Sequence, residues 1–346
     1  MKKIIAVMLS GVMLLTMAAC TTTTWVAKSK DVTYPAGVYL IQVLNKANEA
    51  ATMVPDKQKS PFTQDVEGMP AAVWVDAQAK DGLLKLIAVR NKFAELGLEI
   101  TPEDQQNIDM MTQIYWAYYG ESYTNSGIAQ TSLVMSNETE QMNQKIFDSI
   151  YGEGGTKEIP KDELKKFYDE NFISISSYEI PLQKAEGDKT VPDEQAKALA
   201  EDALKRIQDG EDFYKVVAEL ETKLVKDDKD KHEHKEGGRE HDSLIDLTLT
   251  GADAKMPKAI VDEVKAAEIG GIVKQETAEK FTIIKKNDTV NDTVFFENQI
   301  ATIRALIKGE EYDAQVKEWA KAVEADVKFN KKSLKRYSAE NMFETK

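Results

Sequence analysis

The sequence predicts an α+β chain: a mostly helical domain built from N- and C-terminal segments, with a smaller segment of strands and helices inserted into it. Three observations predict this. From Pro35 to about Glu170, apolar residues recur at helical spacing. Between Ser174 and Lys285, short strand-like runs alternate with helical ones. From Val294 to about Val327 the helical period returns. Helices on both sides of a mixed segment are the pattern of an inserted α+β module.

The N-terminus reads as an export signal. Lys2 and Lys3 precede an apolar stretch, Ile4 to Met17, which is too short to span a bilayer comfortably. Ala18 and Ala19 then lead to Cys20, the chain's one cysteine. Small residues before a cysteine suit a lipoprotein signal peptidase, so residues 1–19 are expected to be removed and Cys20 lipidated. Met17 stands where Leu is commoner. The alternative is an ordinary secretory signal with Cys20 close to the cut. One cysteine excludes an intramolecular disulfide. Residues 20–30 are expected to form the lipidated cysteine and a polar, Thr-rich tether.

A helical domain is expected over 31–170. Pro35 opens its first helix, with Val38, Tyr39, Ile41 and Leu44 on one face. Residues 51–69 read as a loop. A long helix follows from Ala71 to about Leu96, and Gly97-Leu98 has the form of a Schellman stop. Thr101-Pro102-Glu103-Asp104 is a helix start: an N-cap threonine, proline at N1, then acids. That helix is expected to end at Gly120. Further helices are expected over Ile128–Tyr151 and from Pro160 to Glu170.

Strands are expected at Ser174–Leu182, Leu244–Leu249 and Phe281–Lys285. Helices are expected at Val191–Gln208, Asp212–Thr222 and Pro257–Ala267. Lys223–Asp242 is charge-dense and reads as a loop. Two C-terminal helices, Val294–Ile307 and Glu310–Val327, complete the pattern. With 45 basic and 59 acidic residues the net charge is −14. That disfavours nucleic acid, and anionic lipid heads, as partners held by overall charge. No Ser-His-Asp set, phosphate-binding glycine loop or cysteine metal site is present, and no cofactor is expected.

The middle segment resembles a parvulin-type peptidyl-prolyl isomerase domain in an ordered set of phrases. Ser177-Tyr178-Glu179-Ile180-Pro181-Leu182 is similar to the family's first strand. Ala200 to Phe213 (AEDALKRIQDGEDF) is similar to its first helix and Gly-Glu-Asp-Phe turn. Gly237-Gly238, Met256-Pro257 to Val273, and Phe281-Thr282-Ile283-Ile284-Lys285 follow in the family's order. With the lead-in Pro160 to Phe172, the chain resembles PrsA/SurA-type foldases. The resemblance implies a parvulin-like (β-α-β) domain over 171–290. The helical segments 31–170 and 291–346 would pack together as a chaperone-like domain around it.

What the resemblance implies for catalysis is a polar core of two strand histidines and an acid or cysteine. Those positions hold Glu179 (Tyr178 if the match slips by one), Thr282 and Arg239. Isomerase activity is therefore expected to be weak or lost, although a Glu179–Arg239 ion pair could rebuild a site. His232, His234 and His241 all fall in the charged loop. They are weak metal candidates beside the simpler reading of a solvated loop. On the helix after Thr101, Tyr115, Trp116, Tyr118 and Tyr119 stand with Met110 and Met111. Tyr115, Trp116, Tyr118 and Tyr119 cannot all face one way, so at least one is expected outside the core, as a client-binding surface.

The expectation is thus a membrane-anchored extracytoplasmic foldase or chaperone. Its partners would be unfolded or nascent exported polypeptides, with the membrane reached through the lipid anchor. An active isomerase with a rebuilt site, and a solute- or metal-binding lipoprotein, are the alternatives; a homodimer stays open.

Overall fold

The computed structural model describes residues 24–186, 189–224 and 239–343. The chain divides into two compact units, one made of residues up to Lys157 with Glu310–Lys346, the other of Glu158–Gly309. The architecture is α+β and mostly helical, with all strand pairs antiparallel.

The first unit opens with β1 (Trp25–Ser29) and β2 (Val32–Pro35), then α1 (Ala36–Met53). A short hairpin, β3 (Asp65–Val66) and β4 (Met69–Pro70), leads into α2 (Ala71–Glu95). Next come α3 (Pro102–Asn125) and α4 (Gln130–Tyr151). Thr101 and Asp104 cap α3 reciprocally, side chain to backbone in both directions. The stop after α2 is a Schellman turn: Leu98 N–H donates to the Phe93 carbonyl, Gly97 N–H to that of Ala94, and Gly97 has φ +65°. The main core joins α1 and α2 through Val38, Tyr39, Val43, Trp74, Leu83 and Ile87.

Residues 25–30 are not tether. Val26 and Ala27 are wholly buried in β1, which pairs with β2 on one side and, on the other, with β11 (Lys328–Phe329). Strand alternation is short here and one of the two partners, β11, lies some three hundred residues away, so a local window shows little of the sheet. The loop expected over 51–69 also holds structure, the β3–β4 hairpin. At the far end α10 (Lys331–Arg336) and α11 (Ala339–Phe343) close the unit.

The second unit contains α5 (Lys161–Asn171), β5 (Phe172–Pro181), β6 (Gln183–Glu186), β7 (Lys189–Pro192), α6 (Glu194–Gln208) and α7 (Phe213–Leu224). After residue 238 follow β8 (Asp242–Asp246), α8 (Lys258–Ala266), β9 (Ile272–Glu276) and β10 (Lys280–Lys286). Its sheet has the order β8-β5-β10-β9. Alternation gives that sheet two apolar faces. Ile180, Phe281 and Ile283 pack on Ala200 and Ala203 of α6 and on Phe213, Val216 and Leu220 of α7. Ile173, Ile175, Ile245, Val273 and Ile284 face α8 and its Val264.

α9 (Thr293–Glu324) is one helix, not the two expected. Gly309 lies inside it with open space where a Cβ would be. A helical glycine costs only about 1 kcal/mol relative to alanine, which the long flanking segments override. Among the described residues no helix is long and apolar enough to cross a membrane.

Candidate functional site

The expected catalytic positions do not converge. Glu179 on β5 and Thr282 on β10 are direct cross-strand partners. The exposed Glu179 carboxylate is taken by the Lys280 ammonium at 2.6 Å, so the expected Glu179–Arg239 pair does not form. Thr282 is 8 % exposed and its hydroxyl finds no hydrogen-bond partner. Arg239 turns to Asp242, with Nε donating at 2.7 Å, and to Asp292. Those two carboxylates hold its guanidinium charged. The basic side chain has two acids within reach of its own loop, which decides its direction.

Asp242 belongs instead to a polar network at the sheet edge. It stands opposite Ser176 in the β5–β8 ladder, and the Ser176 hydroxyl donates to its carboxylate at 2.7 Å. The Tyr214 hydroxyl donates to the same oxygen, and Asn287 Nδ2 donates to Ser176 Oγ at 3.0 Å. Burial, then the Asp242 carboxylate, pushes the Tyr214 phenol up to about 12. This network is satisfied and buried, so it holds the β5–β8 edge together.

His241 is on the side of α6 and α7. Its ring meets Tyr178 edge-on at 5.3 Å, and its Nε2 is 3.6 Å from a Glu221 oxygen. Burial, then the Glu221 charge, raises the Tyr178 phenol to about 12. Among the described residues no group of three or more ligands could hold a metal. Cys20, His232, His234, Gly237 and Gly238 lie outside the described residues.

The opposite face of the sheet carries a groove of about 890 Å³. Ile175 and Ser177 of β5, Leu247, Leu249 and Met256, and Val261 of α8 line it. Ser177, Ser243, Asp246, Gln299 and Thr302 supply its polar groups. Neither His241 nor Glu179, Arg239 or Thr282 lines it. A mainly apolar cleft with a few polar groups suits an extended peptide segment; among the described residues that line it there is no imidazole to act on an amide. A partial signal is readable in the sequence: alternation puts Ile175 and Ser177 on one face, and Met256-Pro257 marks a helix start.

α3 presents a second surface. Its inward edge is Asp104, Ile108, Thr112 and Gly120, with Ile108 the one large apolar side chain among them. Its outward edge is apolar: Tyr118 is 80 % exposed, Tyr119 53 %, Met110 52 %, Ile114 43 % and Tyr115 39 %. Ring pairs run along it, Tyr115–Tyr119 at 6.4 Å, Tyr118–Tyr119 at 6.4 Å and Tyr119–Tyr123 at 6.1 Å. Trp116 turns the other way, packing with Tyr123 against Leu40, Ile41, Ile128 and Leu133. The helix does not end at Gly120. The Trp116 ring lies over that glycine, where a Cβ would stand 3.1 Å from it, so glycine serves close packing inside a helix that continues to Asn125.

No family model and no curated protein matches the sequence. Among solved structures the chain is similar to the foldase protein PrsA from Streptococcus pneumoniae, at 13 % identity and TM-score 0.39, over 80 % of this chain and 98 % of that one. It is also similar to the foldase protein PrsA from Lactococcus lactis, at 14 % identity and TM-score 0.38, over 90 % and 97 % of the two chains. A third likeness is to PrsA from Bacillus subtilis, at 17 % identity and TM-score 0.34, over 82 % of this chain and 96 % of that one.

Proposed function

We propose that this chain is an extracytoplasmic foldase that holds unfolded, exported polypeptides, anchored to the membrane through a lipidated Cys20. The observation that carries the reading is the outward face of α3. Large apolar side chains at positions 110, 111, 114, 115, 118 and 119 face solvent on one helix, while its buried residues are Asp104, Ile108, Thr112 and Gly120. Such a face contributes nothing to the fold and marks a binding surface. Flat rings and flexible methionines accept many sequences, as a holder of unfolded chains requires. The export signal ahead of Cys20 and the ordered parvulin-like phrases support the same reading.

The parvulin-like domain serves in this proposal as a second grip with weak or no isomerase activity. Turning a prolyl amide means overcoming a barrier of about 20 kcal/mol, which needs polar groups fixed near the twisted carbonyl. Here Glu179 is committed to Lys280, Arg239 to two aspartates, and no imidazole stands among the described residues that line the groove.

The reading predicts that the processed chain suppresses aggregation of a reduced, unfolded client, followed by light scattering. Replacing Tyr118 and Tyr119 together by serine should raise the amount needed about tenfold, from lost apolar contact, without unfolding the protein. No suppression by the unsubstituted chain at stoichiometric excess would sink it.

A further inference from the structure

The chain's net charge of −14 is not spread evenly along it. Between Val327 and Ala339 stand Lys328, Lys331, Lys332, Lys335 and Arg336, with no acid. All five are exposed. On α10 the spacing 331, 332, 335, 336 puts four cations on one side of the helix, with Ser333 buried on the other.

This helix is fastened to the first strand. Ser333 Oγ donates to the Trp25 carbonyl at 2.6 Å, and Asn330 Nδ2 donates to the same oxygen at 3.0 Å. Lys28 of β1 directly faces Lys328 of β11, so their side chains leave the same face of the sheet. The Lys28 ammonium sits 5.0 Å from the centre of the Trp25 ring. Like charges opposed across a ladder destabilise it, so the pair does nothing for the fold. Among the described residues no carboxylate forms an ion pair with Lys28, Lys328, Lys331, Lys332 or Lys335. Of the acids nearby in sequence, Glu324 is held by Lys80, while Asp31, Asp326 and Glu340 stand at the borders.

The chain's own length supplies a second observation. Cys20 is five residues before Trp25, so even fully extended chain keeps the two within about 18 Å. A lipid on Cys20 therefore keeps Trp25 within about two screening lengths of the headgroups, a screening length being about 8–10 Å, so the cationic face can settle onto them.

We infer that Lys28, Lys328, Lys331, Lys332, Lys335 and Arg336, with Trp25 at their edge, form a docking face for anionic phospholipid headgroups of the membrane that bears the anchor. The inference rests on the proposed anchoring at Cys20. The acidic remainder of the chain is repelled by the same headgroups, so the body stands on this face. Overall charge disfavours anionic lipid; local charge reverses that where the tether enters. Trp25 suits the interface between apolar core and water.

The test couples the processed chain through its Cys20 thiol to a maleimide-bearing lipid in vesicles, then follows lysine acylation by mass spectrometry. On vesicles containing phosphatidylglycerol, Lys28, Lys328, Lys331, Lys332 and Lys335 should react at least about threefold more slowly than on phosphatidylcholine vesicles. Lys258 and Lys321 should not change. The slowing should vanish at about 1 M salt, where screening falls to about 3 Å. The exposed substitutions Lys331→Gln, Lys332→Gln and Lys335→Gln together should abolish it at Lys28 and Lys328. Equal reactivity on the two vesicles, or slowing that survives high salt, overturns the docking face. Because the coupling is chemical, this result does not depend on natural lipidation. An unmodified Cys20 in protein taken from the producing cell would refute the anchor alone.

Discussion

α3 of the first unit and the sheet of the second place polar side chains in opposite ways. α3 turns its polar residues inward and satisfies them. Asp104 accepts from Lys145 Nζ at 2.6 Å, from the Thr101 amide at 2.7 Å and from Gln141 Nε2 at 2.8 Å, while Thr112 accepts from Asn137. Tyr115, Tyr118 and Tyr119 on the same helix are exposed to solvent. The sheet turns apolar residues to both faces, gathers its polar groups at one edge, and leaves Thr282 without a partner. The difference yields two unlike surfaces, a flat ladder of rings and a concave groove. Under the proposed function the first would grip any segment through ring faces, whereas the second would select an extended one by shape.

The largest test of that contrast separates the two surfaces. Leu249 lines the groove and is 38 % exposed, so Leu249→Asp should leave the fold intact. It should weaken binding of a labelled, apolar, proline-containing peptide about tenfold in fluorescence anisotropy, the cost of one lost leucine contact. Aggregation suppression, assigned to α3, should hardly change. The peptide's prolyl bond should turn at its spontaneous rate with either protein. If Leu249→Asp abolishes aggregation suppression as fully as the tyrosine substitutions do, the two surfaces are not separate sites.

How much of this was legible in the sequence follows the range of the interactions. The Thr101 start and the Gly97 stop were readable because a cap is decided within four or five residues. The outward aromatics were half readable. Spacing showed that Tyr115, Trp116, Tyr118 and Tyr119 cannot share one direction, but not that Trp116 would be the one to turn in. That choice is made by Gly120, which gives the indole a flat seat, and by Leu40 and Ile41 of another helix. β1 is hard to read because it is short and only one of its two partners, β2, is local, the other being β11 at the far end of the chain. Arg239 was matched to the wrong carboxylate for a similar reason. Asp292, fifty-three residues on, is brought to it only by the fold.

A smaller effect sharpens the satisfied half of the contrast. The Lys145 ammonium, helped by Thr101, holds the Asp104 carboxyl down to about 2, below its ordinary value near 4. A depressed acid stabilises the fold above its unfolded value and loses that contribution as pH falls through the folded one. The Asp104 contribution is therefore complete above about pH 4 and gone below about pH 2. Asp104→Asn should cost about 1 kcal/mol at pH 7, allowing for solvent screening, and should flatten the fall in melting temperature between pH 4 and pH 2. Parallel curves for the two proteins across that window would show that the Asp104 pair stabilises nothing.

The smallest effect lies on the unsatisfied half, and its sign is opposite. The Thr282 hydroxyl is buried without a hydrogen bond, facing the Glu179 position across the ladder. Burying an unpaired hydroxyl is unfavourable, and valine has the same shape without it. β-branching also suits a strand. Thr282→Val should therefore leave stability unchanged or raise it by up to about 1 kcal/mol in denaturant unfolding. Peptide binding in the groove should stay the same, because Thr282 does not line it. A loss of stability above about 1 kcal/mol would mean that the hydroxyl has a partner after all. A loss of peptide binding at unchanged stability would return Thr282 to the functional site and, with it, the active-isomerase reading.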